Sequence, residues 1–183
     1  MSHTATYVAL VHYPVRDQTG AVVTTALTNL DIHDIARSCR TYGLGGYYIV
    51  HPVEQQRQMA ARIVGHWEED GRHDFRKQAL AGVSVVATLE DCVAAILVKE
   101  GQKPSLIVTS ARPLPGCLGF AAVRELEGPK ILVLGTGFGL DDAVLAKADV
   151  ALAPICGPTA YNHLSVRSAC AILLDRLYGD RKD

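Results

Sequence analysis

The chain has 183 residues, 49% of them hydrophobic and 20% charged, a composition typical of one soluble globular domain spanning 1–183. The formal net charge of −1 excludes a general attraction for polyanions, so any nucleic acid must be held by local basic patches. No apolar run approaches the roughly 20 residues that span a bilayer, and the first residues lack a signal-peptide pattern. Five cysteines without a C-x-x-C pair indicate reduced thiols in a cytoplasmic protein.

The first half of the chain alternates predicted strands and helices. The pattern predicts a strand at 7–15, a loop or short strand at 21–28, a helix at 31–42 closed by Gly43, a strand at 46–50 and a helix from Pro52 to about Trp67. The charged, glycine-interrupted segment 68–77 is predicted to be a surface excursion.

The second half continues the alternation. It predicts a strand at 83–87, a capping box at Thr88 before a helix through Lys99, a strand at 105–109, a Pro/Gly-rich loop at 111–119, a short helix near Val123 and a last helix at about 165–178. Strands separated by helices favour an α/β fold with a parallel sheet flanked by helices on both faces.

Two apolar runs that break on glycine predict ligand loops. Residues 131–140 end in a G-x-G-x-G pattern, and residues 151–157 end on one glycine. Segment 161–168 then brings Tyr, Asn, His, Ser and Arg to the start of the last helix. Ligands of open α/β sheets lie outside the carboxyl ends of strands, so these segments predict a cofactor site.

The residues alone leave the cofactor open. G-x-G-x-G differs from the dinucleotide-binding G-x-G-x-x-G, and the phosphate-binding G-x-x-x-x-G-K-[ST] does not occur. The histidines show no recognised metal-ligand spacing, so no metal is predicted. An alternative is that the glycines bind no ligand and serve only in the turn that connects a strand to the following helix.

Five segments together resemble the SPOUT RNA methyltransferases, in particular a small single-domain bacterial branch. Residues 28–43 resemble the first SPOUT motif and 109–112 the middle loop. Residues 135–140, 154–157 and 161–177 resemble the carboxyl-terminal motifs. The resemblance covers about residues 7–178. It implies a cytoplasmic, homodimeric, S-adenosylmethionine-dependent methyltransferase acting on transfer or ribosomal RNA, with a carboxyl-terminal trefoil knot.

The resemblance also implies which residues bind the cofactor, with the apolar side chains of Leu134, Ile155 and Leu164 against the adenine. The implied set is Thr109, Ser110, Leu134, Gly135, Thr136, Gly137, Gly139, Leu140, Ile155, Gly157, Asn162, Leu164 and Ser165. From the residues themselves, Asn162 or Ser165 is equally suited to cap the last helix, which is compatible with ligand binding.

Arg37 is the principal catalytic candidate by resemblance, since an arginine of the first motif helps activate the ribose hydroxyl in a related branch. Asp31 stands where that branch has asparagine, and His33 replaces a glycine, so the methylated atom remains open between ribose and base. Asp31, His33 and His163 are candidate proton acceptors. A guanidinium cannot act as a free base, so Arg37 is expected to polarise or hold the nucleotide. Alternatively, Asp34 and Arg37 simply pair on a solvated helix face.

RNA contacts are predicted for four arginines, namely Arg37, Arg40, Arg112 and Arg167. Arg57, Arg62, Arg72, Arg76 and Lys77 either form a further basic strip or an ordinary charged surface. Two other functions stay open: a non-catalytic module that senses S-adenosylmethionine or a nucleotide, and a flavodoxin-like oxidoreductase, which would be yellow when purified.

Overall fold

The computed structural model describes residues 3–69 and 75–180, where strands and helices alternate along the chain. The strands are β1 (His3–Val11), β2 (Val15–Arg16), β3 (Val22–Val23), β4 (Leu44–Val50), β5 (Val83–Val86), β6 (Ser105–Val108), β7 (Lys130–Gly135) and β8 (Val150–Ala151). The helices are α1 (Asn29–Thr41), α2 (Glu54–Glu69), α3 (Phe75–Leu80), α4 (Leu89–Glu100), α5 (Phe120–Arg124), α6 (Asp142–Leu145) and α7 (Val166–Tyr178). None of these helices is long and apolar enough to cross a membrane.

Six strands form one parallel sheet in the order β5-β4-β1-β7-β6-β8, and β2 and β3 form a separate antiparallel hairpin. Successive residues of β1 face opposite sides of the sheet. Val8 and Leu10 pack in a core with α1 and α7, whereas Ala9 and Val11 pack in a second core with α4. The predicted α/β fold is confirmed, since both faces of the sheet are buried.

The two helices that flank the site begin at hydroxyl caps. The Thr28 hydroxyl accepts the backbone N–H of Asp31 at 3.2 Å at the start of α1, and Ser165 accepts that of Ser168 at 3.2 Å at the start of α7. Each cap satisfies an N–H group that the helix cannot satisfy itself. The prediction that Ser165 caps the last helix is therefore confirmed.

The second apolar run forms much less strand than its composition predicts. Only Val150 and Ala151 form β8, after which the Leu152 N–H bonds the Val108 carbonyl and the Ala153 N–H bonds the Leu118 carbonyl. Pro154 has no N–H group to continue a ladder, and the chain leaves the sheet there. The apolar run at 151–157 therefore pairs only as far as Ala153, and residues 154–157 form no strand.

The charged segment 68–77 is helical at both of its described ends. Helix α2 extends to Glu69 and helix α3 begins at Phe75, which is 84% exposed, so the described ends of the segment are helical and the end at Phe75 lies at the surface as predicted. Residues 70–74 lie outside the described residues. The predicted first strand is also displaced: β1 ends at Val11, and the chain turns through a cis peptide bond between Tyr13 and Pro14.

Candidate functional site

Three loops meet at the carboxyl edge of the sheet because they follow three adjacent strands. Loop 109–119 follows β6, loop 136–141 follows β7, and segment 152–165 follows β8. The side-chain amide of Asn162 donates a hydrogen bond to the Ala111 carbonyl at 2.7 Å and so ties the third loop to the first. Within the first loop, Thr109 donates to the Val133 carbonyl at 3.0 Å, and the Ser110 hydroxyl accepts the N–H of Arg112 at 3.0 Å.

The glycines of the second loop allow close backbone packing. A Cβ atom on Gly135 would lie 2.7 Å from the Leu140 nitrogen, and one on Gly137, where φ is +60°, would lie 2.9 Å from the Arg16 carbonyl oxygen. The Gly139 carbonyl accepts the Arg16 N–H at 2.9 Å. These glycines therefore turn the chain after β7 and seat the loop against the β2–β3 hairpin, in addition to any ligand contact.

A chain of hydrogen bonds anchors Thr136 to the centre of the sheet. The Thr136 hydroxyl donates its hydrogen to the Val11 carbonyl at 3.2 Å, so in its hydrogen bond with the Thr25 hydroxyl it is the acceptor. The Thr25 hydroxyl therefore donates to Thr136 and accepts from Nδ1 of His12 at 3.0 Å. A hydroxyl donates only one hydrogen, which places the imidazole hydrogen on Nδ1. Nε2 of His12 is then a buried acceptor without a hydrogen-bond partner among the described residues.

His51 stacks beside His12 with ring centroids 5.0 Å apart. Its Nδ1 accepts the Val53 N–H at 3.2 Å, so Nε2 carries the hydrogen that is donated to the Thr25 carbonyl at 3.0 Å. Burial, followed by the neighbouring His51, lowers the pKa of His12 to about 4; burial also lowers the pKa of His51. Both rings are therefore neutral near pH 7. Sequence reasoning missed this pair, although each histidine directly follows a strand at the carboxyl edge.

The third loop offers backbone donors suited to a cofactor. The N–H groups of Ile155, Cys156 and Gly157 meet no acceptor in the part of the chain that the structure describes. Ile155 is half-buried and Leu164 is 45% exposed, whereas Leu134 and Leu140 are buried in the two cores. A purine ring carries hydrogen-bonding edges and apolar faces, and this combination of donors and apolar side chains fits it.

A cavity of about 410 Å³ lies near these loops, between the 114–116 turn and β8. It contains none of the predicted cofactor-binding residues. Oδ2 of Asp149, which lines it, accepts the Leu106 N–H at 2.8 Å and so holds the loop after α6 to β6. We assign no function to this cavity.

A cluster of ion pairs joins α1, which carries the first motif, to α7, which lies in the last carboxyl-terminal motif. Nη1 of Arg167 lies 2.8 Å from Oδ1 of Asp31, and its Nε lies 3.4 Å from Oδ2 of Asp34. The Thr28 hydroxyl donates to the other oxygen of Asp31 at 2.6 Å. Both oxygens of this buried carboxylate are thus occupied. The alternative in which Asp34 simply pairs with Arg37 is wrong, because Asp34 turns to Arg167 instead.

Arg37 lies one turn beyond Asp34 on α1 and is exposed, with no ion pair or hydrogen bond to any described residue. Arg40 and Arg112 are also exposed. His163 is exposed and meets the ring of Tyr161 edge-on at 5.5 Å. Arg167, in contrast, is committed to the acidic residues of α1. The structure therefore brings Asp31, Arg37 and Arg167 to one region and leaves Arg37 free to contact a ligand.

A groove of about 600 Å³ runs between α1, α2 and α3 and contains both Arg37 and His33. The ring of His33 meets that of Trp67 edge-on at 6.2 Å. Burial, and then the positive charges of Arg76 and Arg37, lower the pKa of His33. Its imidazole is therefore neutral near pH 7, as a proton acceptor must be.

The architecture is that of the SPOUT methyltransferases. Among solved structures, the TrmH/SpoU tRNA modifying enzyme of Aquifex aeolicus superimposes with a TM-score of 0.57 over 97% of this chain and 75% of that chain, at 14% sequence identity. Likeness at such low identity defines the fold. The chain belongs to the family of S-adenosylmethionine-dependent RNA methyltransferases, whose sequence signature matches residues 5–179. The expected class of enzyme and its cofactor are confirmed at the level of the family.

Two relatives illustrate how the domain occurs in other proteins. This chain is 45% identical over 179 residues to a tRNA (guanine-N(1)-)-methyltransferase of Oleidesulfovibrio alaskensis, and the match covers 95% of this chain and 42% of that protein. It is 36% identical over 179 residues to an uncharacterized protein of Aquifex aeolicus, covering 94% of this chain and 87% of that protein. The chain therefore spans less than half the length of the first relative.

Proposed function

We propose that this chain transfers the methyl group of S-adenosylmethionine to a nucleotide of transfer or ribosomal RNA. The observation that carries the proposal is the contact of Arg167 with Asp31 and Asp34. It places the first turns of α1 and α7 together, beside segment 152–165. The exposed guanidinium of Arg37, one turn beyond Asp34 on α1, is therefore proposed to face the bound cofactor.

The cofactor is proposed to bind across the three loops at the carboxyl edge. Its sulfonium supplies an electrophilic methyl group. The backbone N–H groups of Ile155 and Gly157 are proposed to hold the adenine edge, with Ile155 and Leu164 against its faces. Thr109, Ser110 and Asn162 fix the loops by their hydrogen bonds. The remaining residues of the implied set are proposed to shape the protein side of the pocket without contacting the adenine edge: Leu134, Gly135, Thr136, Gly137, Gly139, Leu140 and Ser165.

Arg37 is proposed to hold and polarise the nucleotide that is methylated. Asp31 is better suited to positioning than to accepting a proton, since both of its oxygens are already occupied. His33 and His163 remain as proton acceptors for the nucleophile. Methyl transfer of this kind depends mainly on alignment of the two reactants, so Asp31 and Arg167 contribute by holding α1 and α7 in register.

Four further properties are proposed from the resemblance: a homodimer, a cytoplasmic location, a trefoil knot at the carboxyl terminus, and RNA contacts by Arg40 and Arg112 besides Arg37. The RNA contact that the resemblance also implies for Arg167 would use only the part of its guanidinium that Asp31 and Asp34 leave unpaired. The knot is supported by the hydrogen bond from Asn162 to Ala111, which holds the segment before α7 against loop 109–119. The methylated atom is proposed to be a base nitrogen, a base carbon or a ribose oxygen.

Calorimetric titration with S-adenosylmethionine, using ATP, NAD and FMN as controls, tests the proposal first. Micromolar binding selective for S-adenosylmethionine, followed by transfer of labelled methyl to total RNA, is the expected result. Binding without transfer to any RNA would identify a sensing module instead. Absence of binding, or a preference for another nucleotide, would refute the proposed activity of this chain.

A further inference from the structure

The groove between α1, α2 and α3 combines positive charge with an apolar wall. Arg37 enters from α1, Arg62 from α2 and Arg76 from α3. Apolar atoms come from exposed Leu30 and from Met59, Ile63 and Trp67. The volume of about 600 Å³ falls within the range of small-molecule sites, roughly 300 to 1,000 Å³.

Two of the three arginines of the groove have no counter-ion among the described residues. Arg37 and Arg62 make no ion pair or hydrogen bond with any residue that the structure describes. Asp34, the acidic residue lining the groove, is engaged by Arg167 at 3.4 Å. In a chain whose formal net charge is −1, this is a local concentration of cations around a concave surface. Such a surface attracts an anionic ligand.

The aromatic cluster in the groove limits which anion fits. The guanidinium of Arg76 lies 4.4 Å from the centre of the Trp67 ring, and the rings of His33 and His66 meet the indole edge-on at 6.2 and 5.5 Å. A bare phosphate would use the arginines and leave this wall uncovered. A nucleotide carries both a phosphate and a flat base, and arginine planes and aromatic rings are the surfaces on which unpaired bases stack.

We infer that this groove binds an unpaired nucleotide adjacent to the methylated one, with its phosphate at Arg37 and Arg62 and its base against the Trp67 wall. The inference rests on the proposed function, because it places a flanking nucleotide of the same RNA beside the catalytic arginine. Arg37 then lies between the two nucleotides and contacts the phosphate that joins them. In this arrangement α2 takes part in RNA recognition, although none of the family motifs lies on α2.

The chain carries one tryptophan, so its fluorescence reports on the groove without a label. Titration with unfractionated bacterial transfer RNA is expected to quench Trp67 emission. In Arg62→Gln, loss of one phosphate contact is expected to weaken RNA binding about eightfold in 0.1 M salt and to reduce the slope of log K against log salt by about one. Arg124→Gln is the matched control, since Arg124 is an exposed arginine on α5 outside the groove.

The outcomes separate this inference from the proposed function. If S-adenosylmethionine binds both the wild type and Arg62→Gln equally, but RNA neither quenches Trp67 nor distinguishes Arg62→Gln from Arg124→Gln, the groove inference alone is overturned. If S-adenosylmethionine fails to bind the wild type, the proposed function fails first. Sedimentation supplies the last control: a shift in the oligomeric state of Arg62→Gln would assign the groove to a second copy of the chain and also overturn the inference.

Discussion

Arg167 and Asp31 are 136 residues apart in the chain and form an ion pair at 2.8 Å that joins the first and last of the principal helices. The side chain of Asp31 is 7% exposed and that of Arg167 is 30% exposed, so the pair lies at the edge of the core. The Thr28 hydroxyl donates to the second oxygen of Asp31 and so fixes the orientation of this carboxylate. The carboxylate in turn fixes the position of the Arg167 guanidinium relative to α1. The pair therefore couples folding of α7 to the geometry around Arg37.

Arg167→Met is expected to destabilise the domain by about 2–3 kcal/mol, because it leaves the buried Asp31 carboxylate without its cation. Asp31→Asn in the same background is expected to recover part of the loss by removing the unpaired charge. Urea unfolding of the two single variants and the double variant measures the coupling, expected to be about 1–2 kcal/mol. Strictly additive losses would show that the pair contributes nothing to stability.

Gly137→Ala is expected to weaken S-adenosylmethionine binding and lower stability, since φ is +60° there and a Cβ would lie 2.9 Å from the Arg16 carbonyl oxygen. Gly20→Ala is the matched control, because Gly20 also has positive φ, +85°, but open space around it. The control is expected to lose about 1 kcal/mol of stability and retain cofactor affinity. Equal effects of the two variants on calorimetric affinity would contradict close packing of the loop.

His12 is expected to make the domain sensitive to mild acid. Its pKa is about 4 in the folded chain, below the roughly 6.5 of an unfolded histidine, so the unfolded state binds the proton more tightly. The stabilisation is present above pH 6.5 and is lost as pH falls toward 4, by about 2 kcal/mol between pH 7.5 and pH 5.

Urea unfolding at several pH values tests this dependence. His12→Asn, whose amide can donate to Thr25 in place of Nδ1, is expected to show a flatter profile between pH 7.5 and pH 5. A variant with the same slope as the wild type would assign the acid sensitivity to other groups.

Arg37→Ala is expected to reduce methyl transfer by about two orders of magnitude, the typical cost of removing one group that stabilises transition-state charge. S-adenosylmethionine affinity is expected to stay unchanged, because Arg37 lies on α1 rather than on the three cofactor loops. Single-turnover transfer to total RNA with calorimetry on the same samples checks both points. Arg124→Ala serves as the control, and an Arg37→Ala enzyme with normal turnover would remove Arg37 from the mechanism.

Local patterns predicted most of the fold because they act over a few residues. Apolar runs bounded by helices indicated a parallel sheet, and the Thr88 capping box and the Ser165 cap are present as predicted. One prediction failed where the backbone could not continue a ladder. The apolar run at 151–157 leaves the sheet at Pro154, which has no N–H group to donate.

The sequence by itself determined the class of fold, the family and the glycine loop after β7, since each depends on residue types at short spacing. The tertiary structure decided which distant residues meet. Strand order places His12 beside His51, because β1 and β4 are neighbours in the sheet. Packing of α7 against α1 pairs Arg167 with both Asp31 and Asp34, so Asp34 does not pair with Arg37. Packing of α2 against α1 places Arg37 and Arg62 in one groove. Such contacts follow from sheet topology and packing, which no local pattern encodes.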